Sequence, residues 1–230
     1  MIPLIRMRLA GFVRTGRALA PLTAGLVLLA LLNGGGQAQA GEAYGVSAVV
    51  LFPVLAWQTK LLLDVEPDVA RRLVLVAVGS RSRELTAGLV AAATAGLGTV
   101  LIALALPWLL GGVTGPEDPS DLPLARGIAL GVWAHLLVLP AAVALGALAS
   151  RAATNSPRYG VLVLVTGAVW AVVFGLRDSV LPWAAPPMMA TARAVTTGPD
   201  GLRVAELTTH ALLWSAAVVS LYAWLRRHRA

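Results

Sequence analysis

The chain has no cysteine, one lysine and little charge of either sign. Without cysteine there is no disulfide framework, thiol nucleophile or zinc–thiolate site. The single lysine, Lys60, is followed by Leu61, so a phosphate-binding loop of the form G-x-x-x-x-G-K-[ST] is excluded. Gly34-Gly35-Gly36 is then a small-residue loop and nothing more. The histidines His135, His210 and His228 fall in different segments without an H-E-x-x-H, which argues against a metal site. No serine sits in a G-x-S-x-G setting, so a serine hydrolase has no support.

Charge is scarce as well. Of 230 residues, 13% are charged and 58% are apolar, with a mean hydropathy of +0.79. A soluble domain averages about 25% charged and about 45–50% apolar. The polar side chains cannot coat a water-facing globule, so soluble, disordered and collagen-like classes drop out. A nucleic-acid-binding domain drops out too, despite a net charge of +7.

What is present is a series of long apolar runs. A bilayer core needs about 20 mostly apolar residues per helix. Six stretches qualify: 18–36, 44–63, 85–110, 124–150, 159–175 (short) and 207–225. Basic residues set the orientation. With the N-terminus inside, 14 of the 18 Lys and Arg fall on the cytoplasmic side and only 4 of the 11 Asp and Glu do. The inner surface then carries a net +10 and the outer −3, so the overall +7 records topology. The expectation is an all-α, multi-pass protein of the bacterial cytoplasmic (inner) membrane, with six transmembrane helices in one domain and both termini cytoplasmic. Ala38-Gln39-Ala40 after the first run is similar to a signal-peptide cleavage site, but the length of that run favours a retained first span.

Three segments between the spans carry the functional argument. Residues 1–17 form a candidate interfacial helix. Ile2, Ile5, Leu9, Phe12 and Val13 share one side, with Arg6, Arg8, Arg14 and Arg17 turned towards lipid headgroups. The cytoplasmic segment 64–84 starts a helix at Glu66, Pro67 and Asp68, whose acids suit a helix N-terminus. It stops that helix at Gly79 and restarts at Ser80. Val69, Leu73 and Val76 share one face of this short helix, beside Arg71 and Arg72. It needs a docking place, either the headgroup layer or a groove on a cytoplasmic partner. The outer segment 177–205 carries Pro182, Trp183, Pro186, Pro187, Met188 and Arg193. It is apolar, broken by proline and too short to span, so it reads as re-entrant or interfacial.

Within the spans ionisable groups are few. His135 reads as a helix-packing hydrogen bond, and Lys60, at a helix end, is expected to snorkel. Absence of a mid-span carboxylate argues against an ion-coupled carrier. Gly127 and Gly131 permit a close helix contact. Trp57, Trp108, Trp183 and Trp224 fall near interfaces, as in an aromatic belt.

With these pieces placed, the chain resembles the transmembrane permease subunit of type-2 ABC exporters. That family is similar in having an interfacial helix, six spans, a coupling helix between spans two and three, and re-entrant helices between spans five and six. Glu66, the 73–78 run, Ser80-Arg81 and Glu84 follow the family's coupling region in order. Leu181, Pro182, Pro187, Ala192 and Arg193 resemble the pattern before its last span. The departures are Gly79 where the family has proline, Leu89 where it has lysine, and residues 70–72 where it has glycine-threonine. The resemblance implies a non-enzymatic transport subunit, pairing with itself or a second permease. It implies export of an apolar or amphipathic substrate (drug, antibiotic, lipid or peptide). A separate cytoplasmic ATPase would carry the ATP and Mg, this chain binding no cofactor of its own. Coupling residues would be Glu66, Asp68, Arg71, Arg72, Leu73, Val76, Ser80, Arg81 and Glu84. Membrane lipids are expected partners and nucleic acid is not. The alternative is a non-transporting membrane anchor or assembly factor that recruits a cytoplasmic partner through the same helix. A lipid-directed membrane enzyme is weaker, since neither paired carboxylates nor a nucleophile–base set is present.

Overall fold

The structure, a computed structural model, describes residues 1–66, 68–119 and 121–228, with the side chains of Asp68, Val69, Arg71 and Arg72 left out. The fold is all-α. In chain order the helices are α1 (Ile2–Arg14), α2 (Leu19–Asn33), α3 (Ala40–Leu63), α4 (Asp68–Val78), α5 (Arg81–Leu109), α6 (Leu124–Leu148), α7 (Arg151–Thr154), α8 (Pro157–Val173), α9 (Met188–Thr197) and α10 (Gly201–His228). Two-residue strands β1 (Ala38–Gln39) and β2 (Val113–Thr114) pair in parallel and tie the start of α3 to the loop after α5. A 3-10 turn, Pro182–Ala184, precedes α9.

Among the described residues, four helices are long and apolar enough to cross a membrane: α3, α5, α6 and α10. A fifth is obtained if α1 and α2, which meet at a 72° bend, are counted together. The two other expected spans fall short. α2 has 15 residues because the chain turns at Thr15 and Gly16, where Gly16 adopts a left-handed φ of +69°. α8 has 17 residues, about 25 Å at 1.5 Å per residue.

α3 and α6 form the spine. They run parallel and touch along their length because glycines let the backbones approach. Gly127 faces Ala40 and Gly41, Gly131 faces Tyr44, and Gly146 faces Ala56 and Thr59. A Cβ at Gly131 or Gly146 would collide with α3. Around this contact Leu51, Phe52, Leu55, Val138, Ala142 and Leu145 make the main core. Polar groups inside it are paired. His135, 1% exposed, donates from Nδ1 to the Gly131 carbonyl at 2.8 Å and accepts from the Ser47 hydroxyl at Nε2, 3.1 Å away. Thr99 donates to Gln58 at 2.8 Å, joining α5 to α3. Helices α5, α2 and α8 pack around the spine running opposite to it, and α10 runs with it. The N- and C-terminal segments therefore meet at one end of the bundle.

Candidate functional site

The end of the bundle that holds both termini carries the most distinctive chemistry. α4 lies there, outside the packed helices, and rests on the start of α5. Its N-terminus follows Glu66. Its C-terminus closes at Gly79, whose φ of +65° turns the chain and whose N–H donates to the Leu75 carbonyl at 3.0 Å. Ser80 then caps α5, accepting from the Arg83 N–H at 3.4 Å. Leu73 is 66% and Val76 82% exposed, so these two residues of α4 face away from the protein's own core. Arg81 is exposed beside them. The expected contributions of Asp68, Arg71 and Arg72 rest on side chains outside the described residues.

The two ends of α4 are held by one guanidinium. Arg8 of α1 is 5% exposed. Its Nε donates to Glu66 Oε1 at 3.2 Å and its Nη2 to Glu66 Oε2 at 3.3 Å. The same Nη2 pairs with Glu84 Oε1, and Nη1 donates to the Glu84 carbonyl oxygen at 3.1 Å. Arg226, near the end of α10, donates to the other Glu84 oxygen at 2.6 Å and lies 5.7 Å from the ring centre of buried Tyr222. Gly88 makes room for this arrangement, since a Cβ there would run into the Arg8 guanidinium. A second knot lies alongside. Asp64 accepts from Lys60 Nζ and from the Arg151 backbone N–H, both at 2.8 Å. The Asp64 carbonyl oxygen accepts from Arg17 at 2.6 Å and from Arg151 at 2.9 Å. Five segments, from α1 to α10, converge on these two knots.

Burial opposes charge on Glu84, but Arg226 and Arg8 outweigh it and hold this carboxyl, just ahead of the apolar run of α5, below the ordinary carboxylate range. Burial likewise opposes the charge on Arg8, and the hydrogen bond and charge of Glu66 with the charge of Glu84 more than offset it. Both partners stay ionised, as a buried pair requires.

This geometry corrects two expectations. Arg8 does not reach for headgroups, because it is buried against two carboxylates inside the protein. Lys60 does not snorkel, being 5% exposed against Asp64. Glu66 and Glu84 turn to arginines of the same chain. Arg8, Asp64, Tyr222 and Arg226 were not singled out from the sequence. The signal for Arg8 was available: it sits three residues after Ile5 and four before Phe12, on the face that Phe12 buries.

At the opposite end, the segment before α10 folds back into the bundle. Pro186, Pro187 and Met188 are buried, and Met188 lines a small gap with Phe52, Leu137 and Ala211 at mid-depth of the bundle. α9 returns from that depth along α3, with Gly41 and Gly45 facing the carbonyls of Val195 and Ala192. The Ala184 carbonyl accepts from the indole N–H groups of Trp170 and Trp214, at 3.3 and 3.0 Å. Pro182 and Trp183 are exposed, and half-buried Arg193 donates to the Gly175 carbonyl at 3.3 Å. No group of three or more metal-ligating side chains occurs among the described residues.

Comparison with protein-family models, with curated proteins and with solved structures finds no match to this chain.

Proposed function

We propose that the chain is the permease subunit of an ATP-driven exporter, of the kind it resembles in sequence, moving an apolar or amphipathic substrate outwards. The carrying observation is α4: an eleven-residue helix whose Leu73 and Val76 face outward while both of its ends are tied into buried ion pairs. A helix with exposed apolar residues and anchored flanks suits a part that is pushed. In this reading the end with both termini is cytoplasmic, the six apolar helices cross the inner membrane, and α9 with the turn before it is a re-entrant segment on the outer side. A separate ATPase, holding the ATP and Mg, docks on Leu73, Val76 and Arg81. Its closure displaces α4. Glu66 and Glu84 pass the displacement through Arg8 to α1 and through Arg226 to α10, tilting the spans.

One copy is tightly packed at mid-depth, where the gap beside Met188 is only about 10 Å3. The pathway therefore lies between two copies, and the sparsely buried α10 is the helix best placed to meet the second. The same tight packing favours the second reading, a membrane anchor that recruits a cytoplasmic partner through α4 and moves nothing.

Purification of the tagged chain from its native host in mild detergent tests the proposal. Expected is a stably bound ATPase whose hydrolysis rate responds to Leu73→Asp and Val76→Asp. Retention of no ATPase, or a rate indifferent to both substitutions, overturns it. A bound partner without ATPase activity supports the anchor.

A further inference from the structure

The cleft at the end opposite α4 stands on its own geometry, independent of the transport reading. It encloses about 770 Å3 between the chain following α8, the 3-10 turn, α9 and the first turns of α10. Its lining divides by chemistry. Arg177, Arg193 and Arg203 come from three different segments, and Trp183, Pro187 and Leu207 form an apolar wall. Arg177 and Arg203 are exposed at the rim, whereas Pro187 and Leu207 are buried at the floor.

The carboxylates of the cleft are already engaged. Glu206 accepts from Arg203 Nη1 at 2.7 Å, and Asp200 accepts from the Arg203 backbone N–H at 2.8 Å, capping α10. Among the described residues no carboxylate forms an ion pair with Arg177 or Arg193. Arg193 uses one N–H on the Gly175 carbonyl and keeps the rest of its guanidinium fork for an incoming anion. Two unmatched guanidiniums above an apolar wall with an exposed indole fit an amphiphile with an anionic head. In a protein whose helices are long and apolar enough to cross a membrane, the amphiphile at hand is a lipid, and guanidinium forks pair well with a phosphate headgroup. The volume falls within the range of sites that enclose a small ligand, about 300–1,000 Å3.

The geometry points to a binding site for an anionic phospholipid, its phosphate held by Arg177 and Arg193 and an acyl chain laid along Trp183, Pro187 and Leu207. Native mass spectrometry of the detergent-purified chain tests this with phosphatidylglycerol and phosphatidylcholine of identical acyl chains. Phosphatidylglycerol should bind the parent more tightly, by roughly fivefold for each arginine, the usual weight of a basic residue against anionic lipid. The double variant Arg177→Gln with Arg193→Gln should hold both lipids equally. If that variant fails to fold, Arg177→Gln alone, an exposed position, should still halve the preference or more. Equal binding of the two lipids by the parent overturns the site, as does a preference that survives the folded variants. Displacement of phosphatidylglycerol by millimolar inorganic phosphate overturns it too, because the anion alone would then be the ligand.

Discussion

Two short helices of similar length accompany the long ones, and they are held in opposite ways. α4, eleven residues, is flanked by Glu66 and Glu84, which hold the chain on either side of it, and it exposes Leu73 and Val76. α9, ten residues, is wedged along its body against α3 and α6, with Met188, Thr191 and Val195 buried. Charge–charge bonds localise a helix at points, whereas packing localises it over a surface. Interiors are close-packed, so a wedged helix moves only with its neighbours. A helix hung from two ion pairs can shift as a body and carry what its moorings are attached to. The contrast separates an element built to be displaced from one built to stay, and each substitution below probes one side of it.

The largest loss is expected at the moorings. Arg8→Ala leaves Glu84 with Arg226 alone and Glu66 with neither guanidinium bond, and breaking a buried pair by removing one partner costs about 3–5 kcal/mol. Thermal unfolding in detergent should fall accordingly, and hydrogen exchange across 68–78 should speed up before that of α9. Glu84→Gln should show the pH signature of the same knot. The folded carboxyl lies below its unfolded value of about 4.3, so its contribution is fully present above that pH and is lost as pH falls through the folded value. Parent and Glu84→Gln should therefore differ at neutral pH and converge in acid. A constant difference down to the acid limit would place the effect elsewhere.

Next comes the wedge. Met188→Ala removes a buried side chain from the main core, and such truncations cost about 2–4 kcal/mol. Here exchange in α9 should rise while α4 is unaffected, the reverse of Arg8→Ala. If both substitutions loosen both helices equally, the two modes of attachment are not distinct. A smaller loss, about 1 kcal/mol, is expected for Gly79→Ala, which forces an L side chain into the left-handed region that glycine occupies freely. Its effect should be confined to the end of α4.

Much of this contrast can be read from residue types, and part of it cannot. The apolar runs announce the long helices because burial in lipid or in a core demands them. Gly79-Ser80 marks the end of α4 and the cap of α5 through local backbone chemistry. Pro182, Pro186 and Pro187 mark a chain that cannot continue as helix. The ion pairs are different, because they join residues 58, 76 and 142 positions apart. Local patterning carries no information on which arginine meets which glutamate. Arg8 looked like one of four similar basic residues, and only its register with Phe12 set it apart. The short first span escaped notice for a related reason: hydropathy measures the length of an apolar run, and the 72° bend that shortens the helix is set at Thr15 and Gly16, at its edge.

The smallest effect on stability should accompany the most specific effect on partnership. Leu73 and Val76 touch little of their own chain, and exposed positions away from caps or buried networks change stability by about 0.5 kcal/mol or less. Leu73→Ala with Val76→Ala should leave the unfolding temperature and lipid binding at the far cleft within error of the parent. If α4 is a docking helix, that variant should still lose its cytoplasmic partner, because it removes the exposed apolar surface the helix offers, and interface energy concentrates in a few residues. If α4 merely lies in the headgroup layer, alanine should weaken membrane association slightly and affect no protein contact. Crosslinking from a photoreactive residue at position 76 distinguishes the two. A protein adduct that disappears with Leu73→Ala identifies α4 as a recognition surface, and adducts with lipid alone reduce it to an interfacial helix. The moorings at Glu66 and Glu84 would then serve to place that helix at the membrane surface, and the routes through Arg8 to α1 and through Arg226 to α10 would carry no signal.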